Sequence, residues 1–163
     1  MLPEPKIKGI FVNSHVSAIR KVEGEEGVRR LEACYGKPIK FGNNQDVLVS
    51  EEVHLLECAL DVLRDPPVPA DQRSFEAGKL HFQNFTTTPW AKLLFSMFKD
   101  FKYILLHSKS VTERVFNGII FNSFDLGPKS LKIILGNNNY PIDHFKGLLS
   151  AWMEYFKLRG KVV

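Results

Sequence analysis

The spacing of apolar residues changes after residue 117, and this change limits the chain to a mixed fold. Upstream, as in residues 53–63, apolar side chains recur every three or four positions, which is typical of one face of a helix. Downstream, residues 118–124 and 130–136 are rich in Ile and Phe at a spacing of two and flank the turn sequence 125–129. The pattern predicts an α+β fold, with a helical N-terminal half packed on a small antiparallel sheet.

The length of 163 residues suits one domain, and a chain of this size can bury about 70% of its unfolded surface. A proline-rich break at residues 65–69 separates two helical parts, neither of which is large enough to be a domain. We therefore predict a single domain over residues 1–163. It consists of a helical part, 7–116, and a hairpin-helix-strand part, 117–163.

The strongest helical pattern covers residues 89–106, where apolar residues occupy more than one stripe. A helix that is apolar on most sides is expected at the centre of a fold. Pro141 predicts the start of a last helix and Gly160 its end. Residues 161–163 then predict a short final strand, which leaves an unpaired sheet edge that another chain could cover.

Composition excludes several classes of protein. No run of three basic residues occurs, so nucleic-acid binding is not expected. No apolar stretch is long enough for a membrane span, and the N-terminus does not resemble a signal peptide, so a cytoplasmic location is expected. Charge is uneven, with net −5 over residues 23–65 and net +6 over residues 66–163. This polarity could steer a partner or drive head-to-tail self-association, with a simple average over the surface as the alternative.

Cysteine and histidine spacing predicts no metal site. Cys34 and Cys58 lie in helical patterns among apolar residues and are interpreted as buried, inert thiols. His54 with Glu57 and Cys58 offers two or three ligands, whereas a structural zinc site needs four. The histidines are therefore predicted to be ordinary surface or half-buried residues: His15, His54, His81, His107 and His144.

No catalytic motif is present. The chain contains neither a Gly-x-Ser-x-Gly elbow nor a Walker-type phosphate loop, so an enzyme is not expected. An active site would require two of four candidate side chains to meet in one cleft: Glu76, His81, Asp143 and His144.

Two candidate binding sites follow from the apolar and basic patterns. An apolar cavity is predicted between the 89–106 helix, the 141–158 helix and the hairpin, with simple core packing as the alternative. Its candidate lining residues are Phe82, Leu94, Phe98, Phe121, Leu149 and Trp152. A basic stripe is predicted to face a partner, with a solvated helix edge as the alternative, and consists of Lys92, Lys99 and Lys102.

Short segments in a specific order span nearly the whole chain: Lys8-Gly9-Ile10-Phe11-Val12-Asn13-Ser14, Phe75-Glu76-Ala77-Gly78-Lys79-Leu80, Val115-Phe116-Asn117-Gly118, Asp125-Leu126-Gly127-Pro128, Asn137-Asn138-Asn139-Tyr140-Pro141 and His144-Phe145-Lys146-Gly147. Their order resembles a paralogous family of unknown function described from myxobacteria. That family is similar in layout to haem-nitric-oxide-binding domains, four-vinyl-reductase-like sensors and TRAPP-type trafficking subunits.

The resemblance implies a helical half packed on an antiparallel sheet, often around an apolar cavity. Members of the fold group bind haem, hydrophobic effectors, acyl chains or other proteins. The haem-binding members carry a proximal His and a Tyr-x-Ser-x-Arg run. Here Lys109 falls near the ligand position, His107 lies two residues away, and no Tyr-x-Ser-x-Arg occurs. Neither haem nor any other cofactor is expected.

We therefore predict a non-enzymatic signalling or interaction module that acts through protein contacts, as a homodimer or as an adaptor in bacteria. The alternative is a sensor domain that binds a small hydrophobic ligand in the predicted cavity. Fold similarity alone does not decide between them.

Overall fold

The computed structural model describes residues 2–97 and 100–163 and has an α+β fold. The helices are α1 (Gly9–Tyr35), α2 (Val49–Leu63), α3 (Arg73–Thr86), α4 (Pro89–Met97), α5 (Phe101–Leu106), α6 (Lys109–Val115) and α7 (Ile142–Tyr155). The strands are β1 (Lys6–Lys8), β2 (Asp46–Leu48), β3 (Phe116–Asn117), β4 (Ile120–Asp125) and β5 (Leu131–Gly136). None of the helices in these two ranges is long and apolar enough to cross a membrane.

The strands form two small antiparallel sheets. In the first, β1 lies between β2 and β3, so that Ile7 is opposite both Val47 and Phe116. The second is the hairpin β4–β5, with Phe121 opposite Leu135. The alternating pattern after residue 117 therefore predicted the hairpin correctly.

The main core lies among α1, α2 and α3. Its fully buried side chains include Val12 and Leu31 from α1, and Leu56 and Leu60 from α2. Helix α1 is interrupted at Gly24, whose φ of 67° lies in the left-handed region that glycine adopts readily. The backbone is therefore kinked at this glycine within one long element.

Helices α3 and α7 cross at unusually close range because each has a glycine at the contact. A Cβ atom on Gly78 would overlap the carbonyl oxygen of His144, and one on Gly147 would overlap the carbonyl oxygen of Phe75. The two backbones touch directly at this crossing, which fixes the positions of the side chains on either side of it.

The prediction of a central helix over residues 89–106 is wrong. Helix α4 exposes Trp90, Leu93 and Met97 by 49%, 53% and 63%, so much of its apolar stripe faces solvent. Asp100 is extended, and its side chain accepts a hydrogen bond from the backbone N–H of Tyr103 at 2.8 Å. This cap starts α5 as a new helix.

The predicted final strand at residues 161–163 is also wrong. Helix α7 ends at Tyr155, and Lys157 adopts a φ of 55°, which turns the chain away from a helical path. No strand follows α7 within the part of the chain described, and Val163 is 89% exposed.

The interpretation of Cys34 and Cys58 as two buried thiols is wrong. The two residues form a disulfide that joins α1 to α2, with their Cα atoms 5.7 Å apart. Cys58 is buried, but Cys34 lies on the exposed side of α1. Disulfides persist mainly in oxidising compartments, so this pair gives no support to the expected cytoplasmic location.

Candidate functional site

The core contains a cluster of polar side chains drawn from four helices and one loop. Every member is at most 6% exposed. The cluster consists of His15 on α1, Glu52 on α2, His81 and Asn84 on α3, Tyr140 in the loop before α7, and His144 on α7. We call these six residues the buried polar cluster.

Glu52 is at the centre of the cluster. Its Oε1 atom accepts a hydrogen bond from Nε2 of His15 at 2.9 Å and lies 3.8 Å from Nε2 of His81. Its Oε2 atom accepts a short hydrogen bond from the Tyr140 hydroxyl. Both carboxylate oxygens therefore have partners, as a buried charge requires.

The histidines continue this network in two directions. The side-chain amide of Asn84 donates to Nδ1 of His15 at 3.0 Å, which completes the contacts of that ring. Nδ1 of His81 lies 3.0 Å from Nε2 of His144. The negative charge of Glu52 favours the tautomer of His81 with its proton on Nε2. Nδ1 of His81 then accepts a hydrogen bond from the Nε2–H of His144.

The cluster shifts the acid–base properties of its members. Burial opposes the charge on Glu52, but attraction to His81 and hydrogen bonds from His15 and Tyr140 outweigh it and lower the pKa to about 2. Burial lowers the pKa of His81 to about 4 and that of His144 to about 3. Burial also raises the pKa of Tyr140. At neutral pH Glu52 is therefore a carboxylate, His81 and His144 are neutral imidazoles, and Tyr140 is a protonated phenol.

Local sequence explains how these side chains converge. Glu52 lies in the first turn of α2, where the helix dipole favours a negative charge. His81 and Asn84 are three residues apart on α3 and therefore share a face. The close crossing at Gly78 and Gly147 brings His144 on α7 against that face.

Beside the cluster lies an apolar cavity of about 110 Å³. It is bounded by α3, α5, α6, α7, the hairpin and one side of α4. Apolar side chains make up most of its walls, and the rings of Tyr140, His81 and His144 form part of its polar side. The cavity and the buried polar cluster therefore share three residues.

Two polar atoms on the cavity-lining residues have no hydrogen-bond partner within residues 2–97 and 100–163. These atoms are Nδ1 of His144 and Nε1 of Trp152. Buried polar atoms nearly always have a partner, so each calls for a water molecule or a ligand.

The cavity brings together most of the lining residues that the sequence suggested. Phe82, Leu94, Phe121, Leu149 and Trp152 all line it. Phe98 lies outside the described residues. The ring of Phe82 stacks on that of Trp152, with centroids 5.5 Å apart.

The lysines of the predicted basic stripe that the structure describes lie in different surroundings. Lys92 is exposed on α4, but the side chain of Lys102 donates to Asp125 at 2.5 Å and to the carbonyl oxygen of Gly127. Lys102 thus holds the hairpin turn against α5. Lys99 lies outside the described residues.

Sequence reasoning missed the buried polar cluster. His15, His81 and His144 were expected to be ordinary surface or half-buried residues, and that prediction is wrong because all three are buried. Two of the four residues named for an active site, His81 and His144, do meet. Glu76 instead lies 4.0 Å from Arg64, and Asp143 pairs with Lys146 at 3.2 Å.

Comparison with models of known protein families and with curated proteins found no match.

Proposed function

We propose that this chain is a sensor domain that binds a small, mainly apolar ligand in the cavity beside the buried polar cluster. The observation that carries the proposal is an apolar cavity of about 110 Å³ with two unpartnered buried polar atoms on its lining residues. A pocket with apolar walls and a few convergent polar groups is the usual form of a small-molecule site.

The size of the cavity limits the ligand. An apolar protein cavity of roughly 150 Å³ binds benzene, so the smaller volume here limits the ligand to about one ring or a short alkyl chain. Its walls include the faces of Phe82, Phe121 and Trp152, which offer dispersion contacts to a flat or flexible apolar body.

The polar atoms predict the head group of the ligand. Trp152 Nε1 can only donate a hydrogen bond, whereas His144 Nδ1 accepts one in the tautomer that Glu52 and His81 favour. A hydroxyl group both accepts and donates, so a ligand that carries one can form a hydrogen bond with either atom. We therefore expect short alcohols or phenols to bind better than hydrocarbons of the same size.

Titration of the purified protein with phenol and with toluene tests this proposal, with binding followed by calorimetry and ligand-observed NMR. The two probes differ mainly in the hydroxyl group. We expect phenol to bind more tightly than toluene, with a negative heat-capacity change from burial of apolar surface. Leu149→Trp fills the cavity and should abolish binding of both probes.

Leu126→Trp provides the matched control because Leu126 is 62% exposed in the hairpin turn. This variant should bind both probes like the unmodified protein. Equal binding by the Leu149 and Leu126 variants, or no binding of either probe to the unmodified protein, would exclude the cavity as a ligand site.

A second candidate function is protein contact by self-association, and the exposed stripe on α4 favours it. Trp90, Leu93 and Met97 follow the 3-4 spacing of one helix face and are each about half exposed or more. A two-fold dimer would pair this stripe with the same stripe of a second copy. Aromatic residues and Met are enriched at such interfaces.

Light scattering coupled to size-exclusion chromatography tests self-association. The dimer predicts twice the chain mass of 18.6 kDa, and Leu93→Glu should return it to the monomer mass. Val22→Glu, at another exposed apolar position, should leave the dimer intact. A monomer mass for the unmodified protein at all concentrations would rule out the dimer.

A further inference from the structure

The buried polar cluster supports a second inference, and the site concerned shares His81 with the cavity wall. We infer that His15, Glu52 and His81 form a binding site for one divalent transition-metal ion.

The three donor atoms lie at separations that suit one ion. One nitrogen from each imidazole and one oxygen of Glu52 all lie within 4.8 Å of one another. The distances from Oε1 of Glu52 are 2.9 Å to Nε2 of His15 and 3.8 Å to Nε2 of His81. With metal–ligand bonds of about 2.0–2.2 Å, neighbouring ligands on one ion lie roughly 3–3.5 Å apart, and the observed distances bracket that value.

The second polar atom of each proposed ligand side chain also contacts another member of the buried polar cluster. Asn84 contacts Nδ1 of His15, His144 contacts Nδ1 of His81, and the Tyr140 hydroxyl donates to the second oxygen of Glu52. Metal-binding histidines almost always use their other ring nitrogen in such a bond, because it fixes the orientation of the ring. With an ion on Nε2 of each ring, both histidines carry their proton on Nδ1. His15 then donates to the side-chain oxygen of Asn84, with the amide turned over, and His81 donates to Nε2 of His144, which places the proton of His144 on its Nδ1.

The charge of the site favours a cation. Glu52 is fully buried, and its ion pairs in the described ranges are both to histidines. Metal binding requires an ionised carboxylate and neutral imidazoles, and a divalent ion would supply the positive charge that a buried carboxylate needs.

The donor set selects the kind of ion. Two imidazoles and one carboxylate suit zinc or ferrous iron, whereas calcium and magnesium prefer oxygen ligands throughout. Three protein ligands also leave at least one coordination position for water or another small ligand.

Cobalt titration tests the site, because Co²⁺ takes the place of Zn²⁺ and absorbs visible light when histidines bind it. Protein that has been treated with a chelator and then freed of it should bind one equivalent of Co²⁺, and Zn²⁺ should displace it. Glu52→Gln and His81→Gln should each abolish stoichiometric binding. Asn84→Ala should weaken binding by about 10- to 100-fold.

His54→Gln is the matched control because His54 is exposed on α2, outside the cluster. It should bind Co²⁺ like the unmodified protein. X-ray absorption of the zinc-loaded, unmodified protein provides a test that needs no variant, and two imidazole ligands are expected. Failure of the unmodified protein to bind either ion, or a spectrum without two imidazoles, would overturn the inference.

Discussion

Nδ1 of His81 lies 3.0 Å from Nε2 of His144, although 63 residues separate the two in sequence. Each histidine is three residues from a glycine at the crossing of α3 and α7: Gly78 precedes His81, and Gly147 follows His144. The contact between the histidines therefore depends on an approach of two backbones that larger residues would prevent.

Gly147→Ala should destabilise the protein and separate the two histidines. The added methyl group overlaps the carbonyl oxygen of Phe75, which belongs to a helix backbone and cannot move alone. We expect a loss of about 1–3 kcal/mol or more in the free energy of unfolding, measured by urea denaturation. Gly42→Ala is the control, since its Cβ would have ordinary contacts only, and it should change stability by less than about 1 kcal/mol. Equal stability of both variants would contradict the close crossing.

Tyr140→Phe should destabilise the protein without changing the shape of the core. The substitution removes one hydrogen-bond donor from the buried carboxylate of Glu52. Hydrogen bonds to charged groups contribute about 1.5–3 kcal/mol, and urea denaturation should show a loss of that order. The control is Tyr155→Phe, at an exposed position on α7, which should have almost no effect. A similar small effect from both would mean that the Tyr140 bond contributes little.

Local pattern was sufficient to predict the hairpin, and it named five residues that line the cavity in the structure: Phe82, Leu94, Phe121, Leu149 and Trp152. These features depend on spacing within short segments, which the sequence displays directly. Apolar spacing led to a wrong prediction at residues 89–106, where a central helix was expected. The apolar spacing does occur on α4. Whether other elements of the chain cover that face depends on tertiary packing, and Trp90, Leu93 and Met97 remain exposed.

The buried polar cluster could not be predicted from spacing because its members come from distant parts of the chain. His15 and Glu52 are 37 residues apart, and Glu52 and Tyr140 are 88 apart. Only His81 and Asn84 share a helix face. The one local signal was indirect: Gly78 and Gly147 interrupt apolar helices, and glycine within a helix usually has a packing reason.

The disulfide between Cys34 and Cys58 should contribute measurably to stability. It closes a loop of 24 residues between α1 and α2, for which restriction of the unfolded chain predicts about 3 kcal/mol. Urea denaturation with and without reductant should show this difference. In the Cys34→Ser, Cys58→Ser double variant, reductant should have no effect. Detection of two free thiols in the untreated, denatured protein would contradict the disulfide.

Phe82→Ala should test whether the cavity wall is rigid. Phe82 is 3% exposed, lines the cavity and stacks on Trp152. Truncation of a buried Phe costs about 3–5 kcal/mol when its surroundings do not collapse into the space, and we expect a loss in that range by urea denaturation. Phe124→Ala, on the exposed face of β4, should cost less than about 1 kcal/mol. A similarly small loss for Phe82→Ala would mean that α3 and α7 close over the gap, and the cavity could then not hold a fixed volume for a ligand.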